Sequence, residues 1–401
     1  MVFLIVDVQW NLYLELPPGS TEKNYSWQDI DTTKYRFPSD IWIIRPTWEI
    51  IVKVMTILPV FVVGVLANSS LIRVILGNKL LRTTTNLFIA NMAIADLGTC
   101  MLCPWMFLCV DFFQNYMLGS VGCRLDGLLL QALTLVAVFS LSAVSYDRVT
   151  SIVLQWSGKL TCRTVKILLV FTWIAGLVLA APLALFRRYE ERQWMDHLEM
   201  FCTEDTKILY SYWHVFVCFS VWVPLAIMAV CYSAILIKLG RYESQALKSK
   251  HPIVVRYKGR VARVLALVVL SFIMFRVPFT AMVLRRAQLL QKPAKLGQAE
   301  SMYLLWYISR YLVMVNAALN PLLYGCTSGS LRRALATCSG ISWIFPREKE
   351  NLSKPGSISP NTSACLDSLR PRSPCIRFGQ HRDTIPTLSS RVIHLNSGPK
   401  F

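Results

Sequence analysis

Seven runs of about twenty residues, each nearly free of charge, constrain this chain most, because about 20 apolar residues carry a helix across a bilayer's hydrocarbon core. They are Val54 to Ile72, Leu87 to Val110, Gly127 to Tyr146, Ile167 to Phe186, Ile208 to Ile237, Val264 to Leu284 and Tyr311 to Leu331. Inside them only Asp96, His214 and Arg276 interrupt as Asp, Glu, Lys, Arg or His, with Arg310 just ahead of the last. Such a chain folds as an all-α membrane protein, a seven-transmembrane helix bundle. The stretch Leu331 to Leu335 adds a short amphipathic helix after the seventh span. Composition agrees: 54% of the 401 residues are apolar and 16% charged, against about 45–50% and about 25% in soluble domains. The formal charge of +19 would suggest a nucleic-acid binder in a soluble protein. Here it belongs to cytoplasmic loops, and no nucleic-acid partner is expected.

Val2 to Val6 is too short for a signal peptide and has no basic segment before it, so the first span acts as the targeting signal. Pro59, Pro104, Pro182, Pro224, Pro278 and Pro321 fall inside six of the seven spans. Membrane helices tolerate such breaks where neighbours satisfy the freed carbonyls, and the breaks supply kinks.

Orientation follows from loop charge. After the fifth span stand Lys238, Arg241, Lys248, Lys250, Arg256, Lys258, Arg260 and Arg263 against the single acid Glu243, which places that loop in the cytoplasm. The segment before Thr47 carries four basic and six acidic residues and lies outside. The expected division is an extracellular N-terminal segment, 1–47, a seven-span bundle, 48–335, and a disordered cytoplasmic tail, 336–401. The sequon at Asn24 is then a glycosylation site, while those at Asn351 and Asn361 fall inside and stay silent.

Several spaced features now combine. Asn68 closes Gly-Val-Leu-Ala-Asn in the first span, and Asp96 closes Asn-Met-Ala-Ile-Ala-Asp in the second. Cys123 opens the third span, and Ser145-Tyr-Asp147-Arg148-Val149 closes it. Trp173 is in the fourth, Pro224 and Tyr232 are in the fifth, Phe272 and Pro278 in the sixth, and Asn320-Pro321-Leu-Leu-Tyr324 ends the seventh. By their order and spacing the chain resembles the rhodopsin-like, or class A, G-protein-coupled receptors from roughly Val54 to Leu335, and within them the neuropeptide-receptor type.

The resemblance implies a multi-pass plasma-membrane receptor that passes an extracellular signal to a heterotrimeric G protein, with arrestin and membrane lipids as further partners. It also implies a disulfide between Cys123 and Cys202. Asp147, Arg148, Tyr232, Phe272, Asn320, Pro321 and Tyr324 form the implied activation switch, with Arg148 holding Asp147 at rest and Asn320 bonding toward Asp96. By residue type alone the Asp-Arg pair is equally a solvated helix cap, and the proline a simple kink. Cys338, after the short amphipathic helix, is the palmitoylation candidate. Cys100 and Cys103 have the spacing of a redox or metal pair, but they sit in a lipid-depth helix with no second pair nearby, and neither metal nor cofactor is expected.

Two departures from the family pattern matter. Arg276, in Phe-Arg-Val-Pro, stands where the family has tryptophan, and a charge at bilayer depth costs several kcal/mol unless paired. It either reaches into a wet pocket or pairs with Asp96, from which it is offset by roughly 7 Å along the membrane normal. The intramembrane polar network is thus Asn68, Asp96, Arg276 and Asn316. Ala137 replaces the serine that many relatives offer to sodium, so Arg276 would serve as a built-in cation. At the inner gate no acid occurs from Val254 to Arg263, and Lys258 and Arg260 would repel Arg148, so restraint rests on Asp147 and packing and basal signalling is appreciable. Gln155 and Trp156 replace the second inner loop's proline, leaving coupling preference unread.

The expected ligand pocket comprises Asp126, Leu130, Gln131, Arg276, Phe279 and Arg310. Leu130 stands where the aminergic branch has aspartate, which argues against a monoamine. The outer loop from Arg187 to Lys207 mixes six acids with four basic residues and forms either a solvated loop or a rim that attracts a basic or amidated peptide. Arg310, about 16 Å outside Pro321, and Arg285 and Arg286 would take a ligand carboxylate or pair with that loop. A neuropeptide is the first expectation, an anionic lipid or small acid the second, and a poorly signalling or constitutively active receptor a third. A transporter or channel would show repeats or more intramembrane charge. An enzyme is not expected: no HExxH, GxSxG or glycine-rich phosphate loop occurs, and the five histidines are scattered.

Overall fold

The computed structural model describes residues 31–37, 40–154, 160–246, 252–289, 297–327 and 329–336. The helices are α1 (Thr47–Gly77), α2 (Thr84–Phe112), α3 (Gly119–Ile152) and α4 (Cys162–Phe186). A hairpin of β1 (Arg187–Gln193) and β2 (Leu198–Glu204) follows, then α5 (Thr206–Val217), α6 (Val223–Ala246), α7 (Pro252–Leu289), α8 (Gly297–Thr327) and α9 (Gly329–Leu335). Seven of the described segments are long and apolar enough to cross a membrane. Helices suit that solvent because they satisfy their own backbone polar groups where water is absent. Thr83 and Thr161 cap α2 and α4, each side-chain oxygen accepting from the amide three residues on, at 3.3 and 3.2 Å.

The seventh span differs from the run read in the sequence: it is Met302–Gly325, beginning nine residues earlier than Tyr311. Tyr303, Trp306, Tyr307 and Arg310 dilute its outer end, so a search for uncharged runs starts too late. Leu331 lies beyond it, in α9. Lys53 likewise sits inside α1 and is buried, although the apolar run begins only after it. Asn24, Cys338, Lys248, Lys250, Gln155, Trp156, the tail from 337 and the side chains of Arg256, Lys258, Arg260 and Arg263 lie outside the described residues.

Helix α3 is central, packing against α2, α4 and α6, while α8 closes the ring against α1, α2 and α7. Asn91 joins three helices: its Nδ2 donates to Ser140 Oγ at 2.8 Å and Thr172 Oγ1 at 3.1 Å, and its Oδ1 accepts from Trp173 Nε1 at 2.9 Å. Proline breaks are repaired in the same way. Pro321 has no N–H, which strands the carbonyl of Ala317 one turn earlier, and Asn68 Nδ2 of α1 donates to that oxygen at 3.1 Å. In the fifth span a π-turn, Cys218–Trp222, separates α5 from α6 just before Pro224.

At Gly176 α4 meets α3 closely: a Cβ would lie 2.9 Å from Val136 Cγ2 and 3.1 Å from the carbonyl of Ala132. Gly176→Val is expected to destabilise the protein by about 1–3 kcal/mol through overpacking, read as a lowered thermal midpoint after solubilisation in detergent.

Candidate functional site

The hairpin is bound at its base and along its side. Cys123 at the start of α3 is joined to Cys202 of β2, with Cα atoms 5.6 Å apart. Met200 accepts through its carbonyl from the Tyr116 amide at 2.8 Å, and Asn115 bonds Leu198 and Met200. The N-terminal segment lies on the hairpin tip, where Phe37 packs edge-on against Trp194 and His197, with centroids 5.9 and 4.9 Å away. The outer loop is therefore a built element, and strand register chooses among its acids. Arg187 and Glu204 are cross-strand partners.

Glu204 is the functional residue the sequence reading did not single out. Its side chain is 3% exposed, with Arg187 Nη2 at 2.6 Å and Arg286 Nη1 at 3.2 Å on one oxygen. Trp213 Nε1 donates to the other oxygen at 3.4 Å. Burial alone would raise its carboxyl pKa, but Arg286 and Arg187 outweigh burial and hold it at about 2. The chain of charges continues from Arg187 Nη1 to Asp126 at 3.6 Å and from Asp126 to Arg310 Nη2 at 3.7 Å. Arg286 thus pairs with the acidic loop, while Arg310 faces the bundle over the Phe107 ring, 4.9 Å from its centroid.

Beneath this chain lies a narrow space lined by Cys103, Leu130, Thr134, Phe279, Arg310, Val313 and Met314. Of the expected pocket residues it gathers Leu130, Phe279 and Arg310. Gln131 is buried but not among that lining, and Asp126 belongs to the charge chain above.

Arg276 lines a separate, deeper space with Met92, Ala137, Val138, Leu141, Val268, Phe272, Asn316 and Asn320. It is 4% exposed, and its Nη1 donates to Thr134 Oγ1 of α3 at 3.1 Å. The expected ion pair with Asp96 does not form: Thr134 supplies a nearer oxygen, and Asp96 Oδ2 accepts from Asn320 Nδ2 at 2.8 Å. Arg276 and Asp96 act on each other only through space. A sodium ion at Asp96 would face this guanidinium, and Ala137 lends no oxygen ligand. The thermal midpoint of the purified protein is accordingly expected to be the same in sodium chloride and in choline chloride of equal concentration. A rise specific to sodium would show that the ion finds a seat, because binding to the native state alone raises stability.

At the end of the bundle away from the hairpin Asp147 is 2% exposed, so it is no solvated cap. Nor does it pair with Arg148, because adjacent residues on a helix do not face each other. Its carboxylate instead accepts from Thr84 Oγ1 at 2.8 Å and from Thr85 Oγ1 of α2. Tyr324 and Phe272 are buried in one apolar cluster, with Tyr232 packed against it, and Arg148 acts electrostatically on Tyr324.

A second buried cluster was also missed. Lys53 Nζ lies 2.5 Å from both Glu49 and Asp111 and donates to Tyr303 Oη, tying the outer ends of α1, α2 and α8. Its signal in the sequence was the i, i+4 pair of Glu49 and Lys53.

The described residues thus form a seven-span membrane bundle with one space next to the hairpin's charge chain and a separate polar chamber deeper in. The profile of the 7 transmembrane receptor (rhodopsin family) matches residues 67–324, and the chain belongs to that family, one of receptors and not of enzymes. Among similar curated proteins, neuropeptide Y receptor type 2 of Homo sapiens is 27% identical over 337 residues, 78% of this chain and 85% of that one. Neuropeptide FF receptor 2 of Mus musculus is 24% identical over 378 residues, 87% and 88% of the two chains. The substance-K receptor of Homo sapiens is 25% identical over 330 residues, 79% of each.

Proposed function

We propose that this chain is a peptide-activated receptor of the plasma membrane, with residues 1–47 outside and residues 336–401 inside, signalling through a heterotrimeric G protein and recruiting arrestin. The observation that carries the reading is the shape of the outer site. The space beneath Arg310 is narrow and walled mostly by apolar side chains, which suits the tip of an extended ligand better than a bulky compact one. Above it the charged hairpin offers a polar surface to the remainder of an extended ligand. Two of the three relatives described above are receptors named for neuropeptides, and Leu130 offers an amine ligand no counter-ion.

In this reading Asp147, Arg148, Tyr232, Phe272, Asn320, Pro321 and Tyr324 relay the signal inward, with Asn68, Asp96, Arg276 and Asn316 as the polar core they pass through. The test is a library of peptides and lipids applied to cells expressing the full chain, read by arrestin recruitment. Peptide members alone are expected to respond. A response confined to anionic lipids would replace the peptide reading with the second one.

A further inference from the structure

The charge chain at the outer mouth does not balance. Among the described residues Arg286, Arg187 and Arg310 face only Glu204 and Asp126, leaving one surplus positive charge among side chains that are 3–15% exposed. A desolvated surplus cation is unfavourable unless an anion meets it. The surplus falls at Arg310. Glu204 is engaged at hydrogen-bond distance by Arg187 and Arg286. Asp126, by contrast, lies 3.6 Å from Arg187 and 3.7 Å from Arg310, too far for a hydrogen bond to either. Arg310 makes no hydrogen bond among the described residues, and a guanidinium carries five N–H donors in a planar fork. Its other neighbours are the Phe107 ring and the otherwise mostly apolar walls of the space beneath.

We infer that Arg310 seats a ligand carboxylate whose adjoining apolar group packs against Leu130, Phe279, Val313 and Met314. A fork–fork contact supplies two parallel N–H···O bonds, and one negative charge brings the buried chain to neutrality. The carboxylate approaches from the cavity side, away from Asp126, so charges alternate along the row. Naming the carboxylate as a peptide's free C-terminus rests on the peptide reading above; the seat itself does not.

The test uses N-acetyl-leucine, its uncharged amide N-acetyl-leucinamide, and octanoate, a carboxylate without the acylamino group. Binding to the purified full-length chain is followed by saturation-transfer NMR at millimolar concentration. N-acetyl-leucine is expected to bind roughly tenfold more tightly than the amide, a modest share of what a charge-assisted pair supplies. Arg310→Gln erases that preference. Asp126→Asn, which removes the carboxylate competing for Arg310, enlarges it. Opposite shifts in two variants are not produced by misfolding. Equal binding of acid and amide, or a preference that survives Arg310→Gln, overturns the seat. Tighter binding of octanoate than of N-acetyl-leucine overturns the peptide terminus as its occupant. Failure of every peptide in the arrestin screen removes the peptide reading without touching the acid–amide comparison.

Discussion

Glu204→Gln is expected to destabilise the outer end of this receptor by about 3–5 kcal/mol, the range for breaking a buried ion pair by removing one partner. The substitution strips the one carboxylate that engages both Arg187 and Arg286 at hydrogen-bond distance, while Trp213 loses a charged acceptor. Arg286→Gln should cost less, since Glu204 keeps Arg187 and the surplus positive charge disappears. The comparison is made on thermal midpoints of the purified protein, and an equal or smaller loss for Glu204→Gln would refute the assignment of Glu204 as the shared partner.

The same residue sets a pH limb. Its carboxyl is held at about 2, below the ordinary 4.5. A group depressed in the folded state contributes stability that is complete above its unfolded value and disappears as pH falls through its folded one. The contribution is therefore constant from neutrality down to 4.5 and lost between there and about 2. Glu204→Gln should remove that share of the acid limb and leave the plateau flat.

Arg276→Met is expected to raise ligand-free nucleotide exchange about tenfold. Arg276 lies two residues before Pro278, where α7 lacks a backbone bond and can bend, and its bond to Thr134 holds the helix below that point against α3. A hydrogen bond to a charged group contributes about 1.5–3 kcal/mol, and 1.4 kcal/mol is a factor of ten in an equilibrium. Thr134→Val removes the acceptor and should act in the same direction. If the two groups act through one bond, the double variant does little more than either single variant. Full additivity, or basal exchange unchanged by Arg276→Met, would show that the contact is not a latch.

How much of this was legible before the structure depends on the range of each signal. The spans were legible because bilayer thickness imposes a length and apolarity that composition reveals directly. The start of the seventh was not, because Tyr303, Trp306 and Arg310 are half-buried against neighbouring protein and need not be apolar. Arg276 stood out as a charge at depth, but of its two expected settings the pairing with Asp96 does not form. A vertical offset says nothing of azimuth, and Thr134 lay on the nearer helix. Asp147 was expected to engage Arg148, but helical phase turns it toward Thr84 and Thr85. Glu204 was invisible among six loop acids, since only strand register and the Cys123–Cys202 bond choose it. The link from Asn68 to Ala317 follows from the missing N–H of Pro321, but the choice of Asn68 as donor required helix packing.

An extracellular peptide acting through this bundle on a G protein is the proposal on which the other roles depend. Its most direct measurement is nucleotide exchange by purified heterotrimeric G protein, mixed with the full chain in lipid nanodiscs and challenged with the peptides recovered from the arrestin screen. Exchange is expected to accelerate with the unsubstituted chain and not with Arg148→Ala. Peptides that bind without accelerating exchange, or acceleration that persists in Arg148→Ala, would contradict it.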